Sequence, residues 1–375
     1  MTPSQTKIAV VSGFWGQNIG NAFFNVSGKW LMEQAVPGAC VSWFQDQPGY
    51  RTFHDQSKGN PASHTDLIGA LEVDYVVLQG PMLTENFRNL WEPSFRRLRA
   101  RGVGVVILSA GLFRYTDDEV KAARSFLGEY PPAMFTTRDS ETFKHFSDIC
   151  ELTYDGIESA FCVPDAFKPF SLDLPPSVAV CFDRYPEPNF TVGAPHSGNP
   201  LEAAKGTFEF DDAVWNWSIP RLQQTLSKRG QRTAYLSSLS DRRRLPETIG
   251  GLSVLRPEHR TNPFVGWKVY RAPGTVVSDE PYTYLTTYAN ARMTLSDRVH
   301  ACVVAAAYGR PAMLFGSTPR DALFARMGLA DIRKHPVALP ENRRVEERDA
   351  LLDFLRNAFA TLDSKASREL AVAHS

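Results

Sequence analysis

Long apolar runs, paired cysteines and net charge are all missing from this sequence, and each absence removes a class of protein. No stretch approaches the roughly 20 consecutive apolar residues of a membrane-crossing helix, so a membrane span is not expected. Met1-Thr2-Pro3-Ser4-Gln5-Thr6-Lys7 leads directly into the short run Ile8–Val11, without the charged start and apolar core of a signal peptide. A cytoplasmic location is therefore expected. The five cysteines (Cys40, Cys150, Cys162, Cys181 and Cys302) are odd in number and scattered, and they form no C-x-x-C pair. This excludes a disulfide framework or zinc ribbon and predicts reduced, mostly buried thiols. Lys+Arg and Asp+Glu both number 41, so no net field draws the molecule to nucleic acid or anionic lipid. Any anion site must be local.

What is present is enough for two domains: 375 residues, 43% of them hydrophobic and 22% charged. Ile8–Val11 is an unbroken β-branched run. A glycine-bearing turn follows at Gly13–Asn21, then a helix-like segment, Phe23–Glu33. Similar runs recur at Tyr75–Leu78, Val103–Leu108 and Ala133–Thr136, with amphipathic segments such as Glu119–Leu127 between some of them. Strands apolar on both faces and separated by helices imply a parallel sheet covered on two sides. After the proline-bearing stretch Lys168–Pro176, a strand at Val178–Phe182 opens a second domain of the same kind. Further segments are expected at Ile219–Leu226, Thr233–Leu236, Gly274–Val277 and Pro311–Phe315. Pro186–Glu209, rich in Gly, Pro, Asn and Ser, reads as a long loop. The expected division is 1–168, 169–340, and a C-terminal helix with tail, 341–375, packing back across both domains. Leu351, Leu355, Ala358, Phe359 and Leu362 repeat in that helix at helical spacing.

Several segments could carry chemistry. In Gly13–Asn21 the glycines would let backbone N–H groups approach an anion or sugar at a helix start. The segment is neither G-x-G-x-x-G nor a P-loop, and a plain tight turn with Asn21 as a helix cap reads equally well. Ser296-Asp297-Arg298-Val299-His300 lies between a short strand and a small-residue helix that stops at Gly309 and restarts at Pro311. Arg298 brings a permanently charged fork and His300 a titratable proton at a helix N-terminus. Two residues apart on a regular helix they would point about 200° from each other, so a shared ligand requires one of them to precede the helix. The competing reading pairs Arg298 with Asp297 and makes His300 a cap. Arg138 follows a strand end, with Asp139 or Ser140 capping the next helix. It points either to a cleft or into an ion network with Asp139. Arg184 lies at the carboxyl end of a strand, where open α/β sheets bind ligands, whereas Arg242–Arg244 reads as a solvated loop.

These segments together resemble the polysaccharide pyruvyl transferase family. Asn18-Ile-Gly-Asn21 is similar to its N-x-G-[DN], Arg138-Asp-Ser-Glu141 to its R-D-x-x-S region, and Val163-Pro-Asp-Ala-Phe167 to its V-x-D-x-A/F stretch. Ser296-Asp-Arg-Val-His300-Ala with Gly309-Arg-Pro311 resembles its S-x-R-x-H-A…G-x-P signature. The chain departs from the family at Gln79-Gly80-Pro81, where a triple glycine is common, and at Asp297 and Val299. Arg320 stands near the place of a frequent lysine. The resemblance implies an α/β fold of two Rossmann-like domains with parallel sheets facing across a cleft (GT-B-like), the first on the acceptor side and the second on the donor side. It implies transfer of a pyruvate ketal from phosphoenolpyruvate to a sugar of a polysaccharide or lipid-linked glycan in the making of cell-envelope exopolysaccharide. His300 would be the general acid, Arg298, Arg184 and Ser296 would hold the donor, and Asn18, Gly20, Asn21 and Arg138 would line the acceptor side or cleft. No metal or other cofactor is expected, because arginines can neutralise the phosphate. A nucleic-acid partner is not expected either, while peripheral contact with a membrane remains open. The rival readings are a GT-B glycosyltransferase using a nucleotide sugar and a non-catalytic glycan- or anion-binding relative.

Overall fold

The computed structural model describes residues 5–13, 18–45, 65–183, 186–194, 202–220, 244–259, 272–316 and 318–373, together with Thr225 and Thr233. The chain divides into two compact units. One comprises Met1–Phe14, Phe24–Ala166 and Asn342–Ser375, and the other Trp15–Phe23 and Phe167–Glu341.

The first unit is built on six parallel strands: β1 (Lys7–Ser12), β2 (Cys40–Gln45), β3 (Tyr75–Gln79), β4 (Gly104–Ala110), β5 (Met134–Thr137) and β6 (Thr153–Asp155), in the order β2-β1-β3-β4-β5-β6. Each apolar run of the sequence analysis becomes one of these strands, because a sheet covered on both faces needs apolar side chains at every position. The helices here are α1 (Gly20–Ala35), whose first turn through Phe23 belongs to the second unit, α2 (Phe87–Ala100), α3 (Asp117–Glu129) and α4 (Ser140–Phe146). Thr116 caps α3 by accepting the Glu119 N–H, and the Glu119 carboxylate returns to the N–H groups of Arg114 and Tyr115. Phe87, Trp91, Phe95 and Leu98 of α2 meet Phe126 and Leu127 of α3 in a core against the sheet.

In the second unit, strands β7 (Ser177–Cys181), β12 (Leu252–Pro257), β13 (Thr275–Val276), β14 (Met293–Ser296) and β15 (Ala312–Leu314) pair in parallel. Two-residue β11 (Thr248–Ile249) joins β12 antiparallel. Helices α5 (Pro281–Asn290) and α6 (Val299–Ala307) pack against this sheet.

The stretch Pro186–Glu209 departs from the expected loop. It contains β8 (Asn189–Val192) and most of β9 (Glu202–Phe210), which flank β10 (Ala213–Pro220) in an antiparallel sheet ordered β8-β10-β9. Phe190, Phe208 and Trp215 alternate with polar residues, and this face joins Val178, Val180, Phe182, Leu295 and Phe315 in one core. The period-two alternation of a half-buried strand was masked in the sequence by the surrounding Gly, Pro and Asn. Of the segment expected at Ile219–Leu226, Ile219 and Pro220 close β10 and Thr225 is helical. Of the segment expected at Thr233–Leu236, Thr233 is helical and Ala234–Leu236 lie outside the described residues.

The C-terminal helix α7 (Glu341–Ala373) belongs almost entirely to the first unit. Its Phe359 and Phe354 rings meet Tyr75 and Tyr154 at 5.2 and 4.8 Å, and Arg344 and Arg348 both grip Asp165.

Candidate active site

The segment that leads from β14 into α6 is tied to the end of β7. Ser296 lies opposite Cys181 in the parallel pair. Its hydroxyl donates to the Cys181 carbonyl at 2.7 Å and accepts the Arg298 N–H at 2.9 Å. Asp297 donates its N–H to the same carbonyl at 3.2 Å and accepts the Asp183 N–H on its carboxylate at 3.2 Å. Held in this way, Arg298 remains extended (φ −105°, ψ 118°) as the N-cap of α6, while His300 falls in the first turn of the helix. The 200° separation of a regular helix is thereby avoided.

The guanidinium of Arg298 reaches Asp183 with Nη1 at 3.2 Å and the side-chain oxygen of Asn18 with Nη2. Burial works against its charge, but the carboxylates of Asp183 and Asp297 outweigh burial and raise its pKa above the ordinary arginine value. Asp183 and Asn18 engage two of the five N–H donors of Arg298.

Asn18 is set by its own loop. The Ile19 N–H donates to the His259 carbonyl at 2.9 Å, just beyond β12, and the Asn21 N–H donates to the Asn18 carbonyl at 2.9 Å. Helix α1 therefore starts at Gly20, and Asn21 is its second residue rather than its cap. A Cβ on Gly20 would lie 3.3 Å from His300 Cβ and 3.4 Å from its Nδ1, so glycine is what allows the first turns of α1 and α6 to meet. The first turns of both helices carry the positive ends of their dipoles. His300 is 7% exposed.

The remaining sequence-predicted residues lie elsewhere or are engaged otherwise. The Ser296 hydroxyl is occupied by backbone, as described. Arg138 is fully buried in the first unit, with Nη1 2.9 Å from Glu158 and Nε 3.9 Å from Asp139, so its charge is met by an internal ion network. Gly111 makes room for it, since a Cβ there would fall 2.2 Å from Arg138 Nε. Asp139, one of the two expected caps, caps α4 by accepting the Thr142 N–H at 2.7 Å. Arg184 lies outside the described residues, as do Arg242 and Arg243. Arg320 sits in a short 3-10 turn, Pro319–Asp321. Sequence reasoning missed Asp183 and the anchoring carbonyl of His259. The only signal for Asp183 was an acidic residue directly after a strand that ends at the sheet's carboxyl edge.

Among the described residues no group of three or more His, Cys, Asp or Glu side chains could hold a metal ion. No described helix is long and apolar enough to cross a membrane.

The fold and the site thus define an α/β protein of two Rossmann-like units that carries an arginine and a histidine at a strand-to-helix junction. The chain belongs to the polysaccharide pyruvyl transferase family, whose model matches residues 18–319. No curated protein matches the sequence. Among solved structures, similar chains include Staphylococcus aureus MnaA in a co-structure with UDP, at 12% identity and TM-score 0.49, covering 94% of this chain and 90% of that one. The UDP-GlcNAc 2-epimerase of Neisseria meningitidis bound to UDP-GlcNAc is similar at 13% identity and TM-score 0.48, covering 97% and 100%. That of Methanocaldococcus jannaschii with UDP-GlcNAc and UDP is similar at 10% identity and TM-score 0.49, covering 96% and 100%.

Proposed function

We propose that this chain forms a pyruvate ketal on a sugar of a polysaccharide or glycolipid precursor, with phosphoenolpyruvate as donor. The observation that carries this reading is the meeting of Arg298 and His300 with two helix N-termini at Gly20 and Val299. Phosphoenolpyruvate bears about three negative charges near neutrality, and fixed cations and oriented N–H groups are what such an anion needs. Arg298 offers donors beyond those that Asp183 and Asn18 occupy, and the neighbouring carboxylates keep it charged.

In the proposed reaction His300 gives a proton to the methylene carbon of the enol, and a sugar hydroxyl attacks the carbon that becomes cationic. The C–O bond to phosphate breaks, and phosphate leaves with the proton of the attacking hydroxyl. A second hydroxyl closes the ketal, and its proton restores His300. Protons and charge balance: a trianion and a diol give a monoanionic ketal and hydrogen phosphate. Arg298 holds the donor and stabilises the leaving phosphate.

The test is phosphate release from phosphoenolpyruvate by the purified chain, with and without envelope glycans and lipid-linked precursors, together with the mass of the glycan product. Glycan-dependent release with a pyruvate ketal on the product is expected. Turnover of nucleotide sugars, with none of phosphoenolpyruvate, would overturn the reading.

A further inference from the structure

We propose that Trp217 forms a stacking platform for a pyranose ring of the acceptor, beside the carboxyl edge of the second unit's parallel sheet. The proposal rests on the reading above that the acceptor is a glycan. It starts from the antiparallel sheet that replaced the expected loop. On its core-facing side, Phe208 and Trp215 are closed off, at 5% and 2% exposure. Trp217, two residues further along β10 on the same face, is partly exposed.

Its surroundings account for the difference. Across the ladder Trp217 pairs with Phe190 on one side and Gly206 on the other. A Cβ on Gly206 would lie 2.8 Å from the Trp217 Nε1 and 3.0 Å from Cε2 and Cζ2, so the indole lies over bare backbone where another residue would place a side chain. Its ring meets Phe315 edge-on, centroids 5.2 Å apart, and Phe315 meets Phe182 at the same separation. Phe182 directly follows β7 and precedes Asp183, while the Phe315 N–H donates to the Ser296 carbonyl at 2.8 Å. The indole is therefore fixed at the end of the sheet from which Asp183 and Arg298 emerge, one ring and one backbone hydrogen bond from Ser296.

The chemistry of this ring suits a sugar. Tryptophan combines a broad apolar face with an N–H that usually finds a partner when the ring is buried, and here that N–H makes no hydrogen bond to a described residue. A pyranose presents C–H groups on its faces and hydroxyls at its rim, so one ring can use both the indole face and its donor. A sugar laid on Trp217 would sit at the same end of the sheet as Arg298, where the proposed donor is held.

The experiment compares the wild-type chain with Trp217→Leu, which keeps an apolar side chain against Phe315 but no ring, and Trp217→Phe, which restores a ring. Thermal unfolding establishes that each is folded. Acceptor KM should rise about 3- to 10-fold in Trp217→Leu, the size of one aromatic contact. It should recover in part in Trp217→Phe, with KM for phosphoenolpyruvate unchanged in both. In parallel, binding of methyl glycosides of glucose, galactose, mannose and N-acetylglucosamine is followed by saturation-transfer NMR without any donor. An unchanged acceptor KM in folded Trp217→Leu, or glycoside signals equal in wild type and Trp217→Leu, would overturn the platform. Absence of glycoside binding by the wild type would count against it as well. If the wild type binds glycosides through Trp217 yet releases no phosphate from phosphoenolpyruvate, the platform stands and the ketal-forming reading fails.

Discussion

His300 and Arg298 sit two residues apart, and their different positions lead to different consequences on substitution. His300 lies in the first turn of α6 against Gly20, and in the proposed reaction it delivers the proton. His300→Asn keeps a polar side chain but removes the titratable proton. Turnover is expected to fall about 10²- to 10⁴-fold with little change in KM for phosphoenolpyruvate, as measured by steady-state phosphate release. Arg298 divides its fork between Asp183 and Asn18. Arg298→Lys preserves the charge but cannot satisfy both partners and a ligand, so KM for the donor should rise about 10- to 100-fold, the loss of one charge-assisted hydrogen bond. Near-normal turnover in folded His300→Asn would leave that histidine a structural cap.

At the scale of elements, the junction between β5 and α4 shows how a polar residue can be a structural part of the first unit. Arg138 is enclosed with Glu158, and Asp139 both caps α4 and accepts the Tyr115 hydroxyl at 2.8 Å. Burial raises the pKa of that tyrosine to about 12, partly offset by Arg138. Removing one member of a buried pair strands the other charge, which typically costs about 3–5 kcal/mol, whereas replacing both by apolar residues costs far less. Urea unfolding should therefore show Arg138→Met destabilised by that order and Arg138→Met/Glu158→Leu substantially recovered. Additive losses in the double variant would mean that the two side chains do not act as a pair.

Over the whole molecule, the chain closes by returning α7 to the first unit. Asp165 is the latch, held by Arg344 and Arg348 more than 170 residues away in sequence. Burial pulls the Asp165 carboxyl upward, but hydrogen bonds and charge from Arg344, then Arg348, prevail and hold it below its ordinary value of 3.8. A carboxylate with a depressed folded pKa stabilises fully above its unfolded value and loses that contribution as pH falls through the folded one. Asp165→Asn should thus melt several degrees below wild type near neutrality, and the gap should narrow as pH drops below 3.8. A gap that stayed constant into acid would assign the loss to packing instead.

The sequence alone determined the parallel α/β architecture, because unbroken β-branched runs between helical segments leave few other ways to bury apolar side chains. It also determined the family, through the ordered block from Ser296 to Pro311, and it located α6 by its small residues before Gly309 and the C-terminal helix by its spacing. The antiparallel sheet carrying Trp217 was less legible, since its alternation was short and surrounded by turn-forming residues. Only the tertiary structure decided that Arg298 takes Asp183 and Asn18 rather than neighbouring Asp297, and that Arg138 turns inward to Glu158. The partners of Arg298 lie 115 and 280 residues away in sequence. Local periodicity reports which face of an element is apolar, but it carries no information about which of many distant carboxylates or amides folding will bring to a given charge.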